Sequence, residues 1–202
     1  ANNIGIYLTN SANNLVYDNN IKDNTNKGLR LYNSDDNIIK NNDFLENNYG
    51  IYVEYYSDDN NISNNTIKEN DYGIYIDNDS DDNTIKYNNI TDNDDYGVYS
   101  SNSVNATYNW WGSADGPFGD ANTINNLSLV DISPWLAYPV GTNSMYYIWL
   151  VQDGNIIQDT IDNATSGDYI RVWAGTYNES ISAGNNLTLI GNGTSSSIIN
   201  GA

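Results

Sequence analysis

The chain has 202 residues, of which 26 are acidic and 7 basic, giving a net charge of −19, and it contains neither cysteine nor histidine. This charge excludes the basic face that binding to nucleic acid or to an anionic membrane surface requires. The lack of cysteine and histidine excludes a disulfide framework, a thiolate metal site and the commonest general base. No apolar run approaches the ~20 residues of a transmembrane helix, so we expect no membrane insertion.

One short phrase recurs five times in residues 1–100. It consists of a glycine, an aliphatic residue, usually a tyrosine and, in four of the five copies, a further aliphatic residue, and it starts at Gly5, Gly28, Gly50, Gly73 and Gly97. Two more short apolar segments follow each copy, so every period of ~23 residues holds three short strands. This pattern predicts an all-β fold, a right-handed parallel β-helix solenoid with one coil per period. Because side chains alternate along a strand, the aliphatic residues point inward and the residue between them points outward.

Asparagine recurs in register two residues before the third strand of each coil, at Asn19, Asn42, Asn65 and Asn88. Side chains stacked ~4.8 Å apart can hydrogen-bond from coil to coil as a ladder. We favour this structural role over a role in binding a ligand.

A Ser-Asp-Asp turn forms a second column, centred on Asp35, Asp58 and Asp81. Stacked carboxylates repel each other, so this column has to be solvated, screened by salt or bridged by cations. Ca²⁺ accepts about six to eight oxygen ligands, which makes the three residues a weak Ca²⁺ candidate. We favour a solvated face, because the sequence has no Asp-x-Asp-x-Asp-Gly calcium loop, and we expect no other cofactor.

The third column points outward and consists of tyrosines with one interruption at Arg30; its tyrosines are Tyr7, Tyr52, Tyr75 and Tyr99. Stacked aromatic rings and a cation–π contact would stabilise this column without any ligand. A flat strip of tyrosines is also a surface that can bind sugar rings or a partner protein. We favour self-stacking and keep the glycan or partner surface as the alternative.

Residues 101–145 break the period and are rich in aromatic residues, glycine and proline, as in a coil that closes a solenoid. The segment 109–117 reads Asn-Trp-Trp-Gly-Ser-Ala-Asp-Gly-Pro. Together with the asparagine-rich Gly-Ile-Tyr coils, it resembles archaeal cell-surface proteins built from parallel β-helix repeats. These are similar to the carbohydrate-binding and sugar-hydrolysis β-helix superfamily and to periplasmic β-helix proteins linked to copper-enzyme maturation. The resemblance implies a β-helix fold and an S-layer-like or adhesin-like role.

The last third begins with a predicted strand over Met145–Gln152. A single short helix is predicted over Asn155–Ser166, since Asn155 and Gln158 have capping-box spacing and Gly167 suits the position after the helix. Further strands are predicted around 169–173, 180–182, 187–190 and 197–199. This part is similar to the opening of a β-helix, with the helix as its plug. We therefore divide the chain into β-helix coils (1–112), a closing cap or irregular linker (113–145), and a plug helix with opening coils (146–202).

Ten Asn-x-Ser/Thr sequons occur in a chain without cysteine, which predicts a glycosylated protein at the cell surface or outside the cell. Their acceptor residues are Asn61, Asn64, Asn78, Asn89, Asn105, Asn126, Asn163, Asn178, Asn186 and Asn192.

The two ends of the chain lie in coil register and show no cap, which predicts head-to-tail stacking of copies into a filament, sheath or S-layer. A β-helix cut at arbitrary points, or one with two separate solenoid segments, is the alternative interpretation of the ends. As to function, a structural role is favoured, a glycan-binding adhesin that takes a polysaccharide is second, and a polysaccharide-cleaving enzyme is least favoured. Acidic columns would repel a polyuronate, and no single pair of carboxylates is set apart as a catalytic pair.

Overall fold

The computed structural model describes residues 1–118, 122–142, 145–193 and 196–201. It confirms the fold class, a parallel β-solenoid of about 8 turns spaced about 23 residues apart, with one short helix among the described residues. The strands of the first part are β1 (Ile4–Thr9), β2 (Leu15–Tyr17), β3 (Asn20–Lys22), β4 (Lys27–Tyr32), β5 (Ile38–Lys40), β6 (Asp43–Leu45), β7 (Tyr49–Glu54), β8 (Asn61–Ser63), β9 (Thr66–Lys68), β10 (Tyr72–Ile76), β11 (Thr84–Lys86), β12 (Asn89–Thr91), β13 (Tyr96–Ser100), β14 (Val104–Asn105) and β15 (Val130–Asp131).

Three parallel sheets form the walls of this part, because every third strand pairs with its counterpart in the next coil. The first sheet has the order β1-β4-β7-β10-β13, the second β15-β14-β11-β8-β5-β2, and the third β12-β9-β6-β3. The predicted column of stacked aliphatic residues is confirmed in its register, which pairs Ile6 with Leu29, Leu29 with Ile51, Ile51 with Ile74 and Ile74 with Val98. The last four side chains are fully buried.

Buried asparagines form three ladders along the solenoid, and the predicted ladder is one of them. The Asn65 side chain shows the pattern: its Nδ2 donates to Asn88 Oδ1 at 3.0 Å, and its Oδ1 accepts from Asn42 Nδ2 at 3.1 Å and from the Asn42 backbone N–H at 2.9 Å. Each ladder keeps the chain turning at a corner between two sheets. The two further ladders are Asn14-Asn37-Asn60-Asn83 and Asn24-Asn47-Asn70-Asn93-Asn122.

The glycine that starts each phrase lies where two neighbouring coils come closest. A Cβ added at Gly50 would lie 2.6 Å from the carbonyl oxygen of Gly73, which no side chain tolerates. Glycine is therefore required there by the close backbone approach between coils, rather than by a left-handed backbone.

A second part follows, joined to the first by a reversal of strand direction. It contains β16 (Trp135–Leu136), β17 (Tyr147–Val151), α1 (Ile157–Asn163), β18 (Tyr169–Val172), β19 (Gly175–Asn178), β20 (Thr188–Gly191) and β21 (Ser197–Asn200). Strands β16 and β17 pair antiparallel, whereas β17-β18-β20 and β19-β21 pair in parallel. The backbone N–H of Leu136 donates to the Asn109 carbonyl at 2.9 Å, so β16 lies against the last coil of the first part. Trp111 and Trp135 are fully buried near this junction.

The helix prediction was right in kind and wrong in its bounds. Helix α1 begins at Ile157, because Ile156 has an extended backbone with φ −97° and ψ 123°, and the predicted capping residue Asn155 makes no cap. The carboxylate of Glu179 provides the cap instead, accepting from the N–H groups of Ile157 and Gln158 at 2.9 and 3.0 Å. Ile156, which directly precedes the helix, is 53% exposed.

One strand prediction in the second part is wrong, and one strand was not predicted. The segment 180–182 is not a strand, whereas β19 over Gly175–Asn178 is one and pairs with β21. The last described coil leaves four large apolar side chains between 36% and 45% exposed, namely Leu189, Ile190, Ile198 and Ile199.

Candidate functional site

The outer face of the sheet β4-β7-β10-β13 carries six tyrosines in two columns, which we call the tyrosine surface. One column was predicted and the other was missed. The predicted column stacks face to face, with ring centroids 4.8 Å apart between Tyr52 and Tyr75 and 4.6 Å apart between Tyr75 and Tyr99, at interplanar angles of 1° and 4°. The missed column is Tyr49, Tyr72 and Tyr96.

The second column stacks less regularly and meets the first edge-on. Tyr49 and Tyr72 lie 4.9 Å apart at 18°, and Tyr49 meets Tyr52 at 5.0 Å and 90°. The signal for it was present in the sequence, since a tyrosine directly precedes Gly50, Gly73 and Gly97. Offset-stacked and T-shaped pairs are the favoured aromatic arrangements, each worth ~0.5–1.5 kcal/mol beyond the buried area.

Cations cover the end of the tyrosine surface nearest β1. Lys27 Nζ lies 4.3 Å from the centre of the Tyr52 ring, and the guanidinium of Arg30 lies 4.7 Å from that of Tyr7. Arg30 also pairs with Glu54. Burial lowers the pKa of Lys27, against the opposing effect of the Glu54 charge. Burial first and the Glu54 charge second raise the pKa of the Tyr52 hydroxyl well above its usual value.

This packing limits what the tyrosine surface can bind. A sugar ring stacks on a free aromatic face, but both faces of Tyr75 are covered by its neighbours in the column. One face of Tyr7 lies under Arg30, although the residue is 43% exposed. The surface therefore presents mainly ring edges and hydroxyl groups, and this geometry supports self-stacking over a sugar platform.

The predicted acidic column is held in place by the backbone of the next coil. The N–H of Asp58 donates to Asp35 Oδ1 at 3.1 Å, and the N–H of Asp81 donates to Asp58 Oδ1 at 2.7 Å. At the neighbouring position, partial desolvation and the like charges of Asp36 and other carboxylates raise the pKa of Asp59. Within the described ranges, no group of three or more acidic side chains is arranged to hold a metal ion. The Ca²⁺ candidate thus stays a prediction without geometric support.

The ten sequon asparagines are spread over both parts of the structure. Nine of them are exposed, which is what a glycosylation acceptor requires. Asn89 is half-buried, and its Oδ1 accepts a hydrogen bond from the Val140 N–H at 2.8 Å. Asn89 is therefore the least accessible acceptor.

One carboxylate is fully buried, and its surroundings assign it a structural role. Asp168 accepts hydrogen bonds from the N–H of Tyr147 at 3.0 Å, the indole N–H of Trp149 at 3.0 Å, and both the N–H and the hydroxyl of Thr165 at 2.9 and 3.1 Å. Its acceptor capacity is taken up by these donors, which tie β17 to the turn after α1.

Comparison with known protein families gives a match for the first part of the chain. Residues 1–110 match the family model described as NosD, periplasmic copper-binding protein. The chain belongs to the NosD family. Its match covers the β-solenoid coils, and the periplasmic description agrees with the expected location outside the cytoplasm. No curated protein and no solved structure matches the chain.

The donor set of these 202 residues does not fit a copper ion. Protein copper sites use imidazole, thiolate and thioether ligands. The sequence contains no histidine, no cysteine and a single methionine. We therefore assign no copper-binding role to these 202 residues.

Helix length also shows whether a described helix could span a membrane. None of the helices in the described part of the chain is long and apolar enough to cross a bilayer.

Proposed function

We propose that this NosD-family chain is a structural component of an archaeal cell envelope, a subunit of a surface filament, sheath or S-layer whose copies stack head-to-tail through their coils. The proposal is supported by the way the coils pack: the inward aliphatic residues Leu29, Ile51 and Ile74 are buried where coils lie on both sides of them. The last described coil exposes Leu189, Ile190, Ile198 and Ile199, which a further coil could cover in the same way. A further β-helix coil is the surface that matches this face, because it offers both apolar side chains and strand edges. A coil from a longer form of the same chain would cover the face equally well.

The same proposal treats the chain as non-catalytic and glycosylated. Its outward side chains are engaged with each other along the solenoid, in the tyrosine surface and in the backbone-bonded acidic column. Exposed sequon asparagines on both parts would place glycans around the assembly. Intact mass of material from the native source, before and after deglycosylation, would count the occupied sites.

The experiment that tests assembly is light scattering after size exclusion, combined with negative-stain microscopy of residues 1–202. The variant Leu189→Lys/Ile198→Lys places charges on the exposed end and is expected to remain monomeric. The matched control is Ile38→Lys, because Ile38 is 43% exposed in the middle of the solenoid, away from the coil end. Wild-type chains that stay monomeric at high concentration would overturn the self-assembly proposal and favour a coil of the same chain as the natural cover.

A glycan-binding adhesin is the second candidate, and the ring edges and hydroxyl groups of the tyrosine column are the part of it that a sugar could contact, since stacking covers both faces of Tyr75. The variant Tyr52→Ala/Tyr75→Ala would abolish a glycan-array signal if this surface bound sugar. Retention of the signal would assign glycan binding to another surface, and release of reducing ends from a polysaccharide would instead indicate an enzyme.

A further inference from the structure

Two adjacent tyrosines protrude from the turn after β7 and form a feature distinct from the tyrosine surface. Tyr55 is 48% exposed and Tyr56 is 55% exposed, more than any other tyrosine in the described ranges. Their rings meet nearly at right angles, with centroids 5.2 Å apart at 71°, and Tyr32 stacks on Tyr55 at 4.7 Å. We call Tyr55 and Tyr56 the aromatic corner.

The backbone of the aromatic corner is rigid and unusual for its residue type. Both tyrosines have φ of 54°, in the left-handed region that large side chains rarely adopt. Hydrogen bonds to the coils on either side hold them there: the Tyr55 carbonyl accepts from the Asn33 N–H at 2.9 Å, and the Tyr56 N–H donates to the Asp79 carbonyl at 2.8 Å. The rings are thus presented by a pre-organised turn, which lowers the cost of binding.

Cations elsewhere in this chain already bind to tyrosine rings. Four of the 7 basic residues lie over a tyrosine, at distances from 4.3 to 5.9 Å from the ring centre. They are Lys27, Arg30, Lys40 and Lys86. None of these four contacts involves the aromatic corner, although its rings are the most exposed.

Negative charge surrounds the aromatic corner without a neutralising base in the same turns. The stacked turns 32–37, 55–60 and 78–83 contain seven aspartates and no lysine or arginine. A cation near these turns gains from the carboxylates as well as from the ring faces, and the charge of −19 draws it toward the chain. An anionic partner would be repelled, and a neutral sugar could donate hydrogen bonds to the carboxylates but would gain no long-range attraction from their charge.

We propose that the aromatic corner is a docking site for a cationic segment of another protein, whose lysine or arginine side chains lie over Tyr55 and Tyr56 beside the aspartate turns. This role is separate from coil stacking, because the corner lies on the side of the solenoid. The partner is defined by its chemistry, an exposed basic segment.

The test measures binding of a fluorescently labelled oligolysine peptide by anisotropy over a series of salt concentrations. The variant Tyr55→Asn/Tyr56→Asn removes both rings and is expected to fold, since asparagine tolerates the left-handed region and adopts it at Asn10 and Asn33, the positions in the first two coils that correspond to Tyr55. We expect peptide binding to weaken by about five- to tenfold, at an unchanged salt slope because the carboxylates remain. Tyr138→Asn, at a tyrosine that is 45% exposed in the second part, is the control and should bind as the wild type does.

Two further measurements separate this site from general attraction to an acidic protein. Asp58→Asn/Asp81→Asn keeps the Asp58 oxygen that accepts the Asp81 N–H but lowers the charge, and it should reduce both the affinity and the salt slope. An acetyl-lysine peptide of the same length should not bind, because acetylation removes the charge. Equal affinity of the wild type and the Tyr55→Asn/Tyr56→Asn variant would overturn the proposal, as would equal binding of the acetylated peptide.

Discussion

Replacement of Asn65 by alanine tests whether the asparagine ladders hold the solenoid together. Asn65 lies in the middle of its ladder, and its amide donates to the Ile39 carbonyl at 2.9 Å and to Asn88 Oδ1 at 3.0 Å. Its Oδ1 is the acceptor for both the backbone N–H and the side-chain Nδ2 of Asn42. Alanine removes all of these hydrogen bonds.

The expected loss follows from the groups left without a partner. The Asn42 N–H and one hydrogen of its amide lose their acceptor, and the Ile39 carbonyl loses a donor. Since each buried unsatisfied group costs ~1–3 kcal/mol, we expect Asn65→Ala to lower the free energy of unfolding by about 3–5 kcal/mol. Asn65→Asp should cost at least as much, because a carboxylate oxygen would face the Ile39 carbonyl.

Guanidinium denaturation followed by circular dichroism measures the change in the free energy of unfolding, and amide hydrogen exchange shows which coils lose protection. Coils interact mainly with their neighbours, so the loss of protection should centre on β5, β8 and β11. The matched control is Asn61→Ala, because Asn61 lies in the same coil but is exposed, and its replacement should stay within ~0.5 kcal/mol of the wild type. If Asn65→Ala unfolded at the same denaturant concentration as Asn61→Ala, the ladders would not be the stabilising element that the hydrogen bonds indicate.

Three other variants test separate features. Glu179→Ala should lower stability by ~1–2 kcal/mol and speed hydrogen exchange at the first turn of α1, since it removes the helix cap; unchanged exchange at Ile157 would contradict this role. Gly50→Ala should unfold the chain at a lower temperature by forcing neighbouring coils apart, whereas Gly184→Ala, where a Cβ meets nothing within 4 Å, should have little effect. The folded chain holds the Tyr52 proton more tightly than the unfolded chain, because the pKa of Tyr52 is raised on folding. The contribution of the protonated hydroxyl to stability is therefore complete below pH ~10 and is lost as the pH rises through the raised pKa. Tyr52→Phe should reduce unfolding at alkaline pH, and equal alkaline unfolding midpoints of variant and wild type would refute this.

The sequence predicted most of the first part because its signals repeat. Each coil contributes one residue to a buried column, as Leu29 and Ile51 do, so the five copies of the phrase support the same prediction. The second tyrosine column was missed because the predicted repeat phrase starts at the glycine and leaves out the residue before it. Only the structure shows that Tyr49 and Tyr52, both outward on one strand, are close enough to contact each other.

The second part was less predictable because its contacts are not repeated. The cap of α1 comes from Glu179, which is 22 residues from Ile157, and no local pattern indicates such a distant partner. Local spacing instead indicated Asn155, which begins no helix. The aromatic corner was also missed, since exposure and a left-handed backbone cannot be read from two tyrosines in a row.

Within the regular coils the ladders also fix how long a coil can be. From Asn14 to Asn93 successive rungs lie 23 residues apart even where the glycines do not, as Gly28 and Gly50 are only 22 apart, whereas the closing rungs Asn109 and Asn122 follow after 21 and 29 residues. Between the rungs Asn47 and Asn60, the residue missing before Gly50 is restored within the turn that holds Tyr55–Tyr56. An inserted residue in such a coil therefore has to be balanced by a deleted residue between the same two rungs, and a deletion by an insertion. A segment grafted between Asn47 and Asn60 should be accepted when it keeps that length, whatever side chains it displays outward.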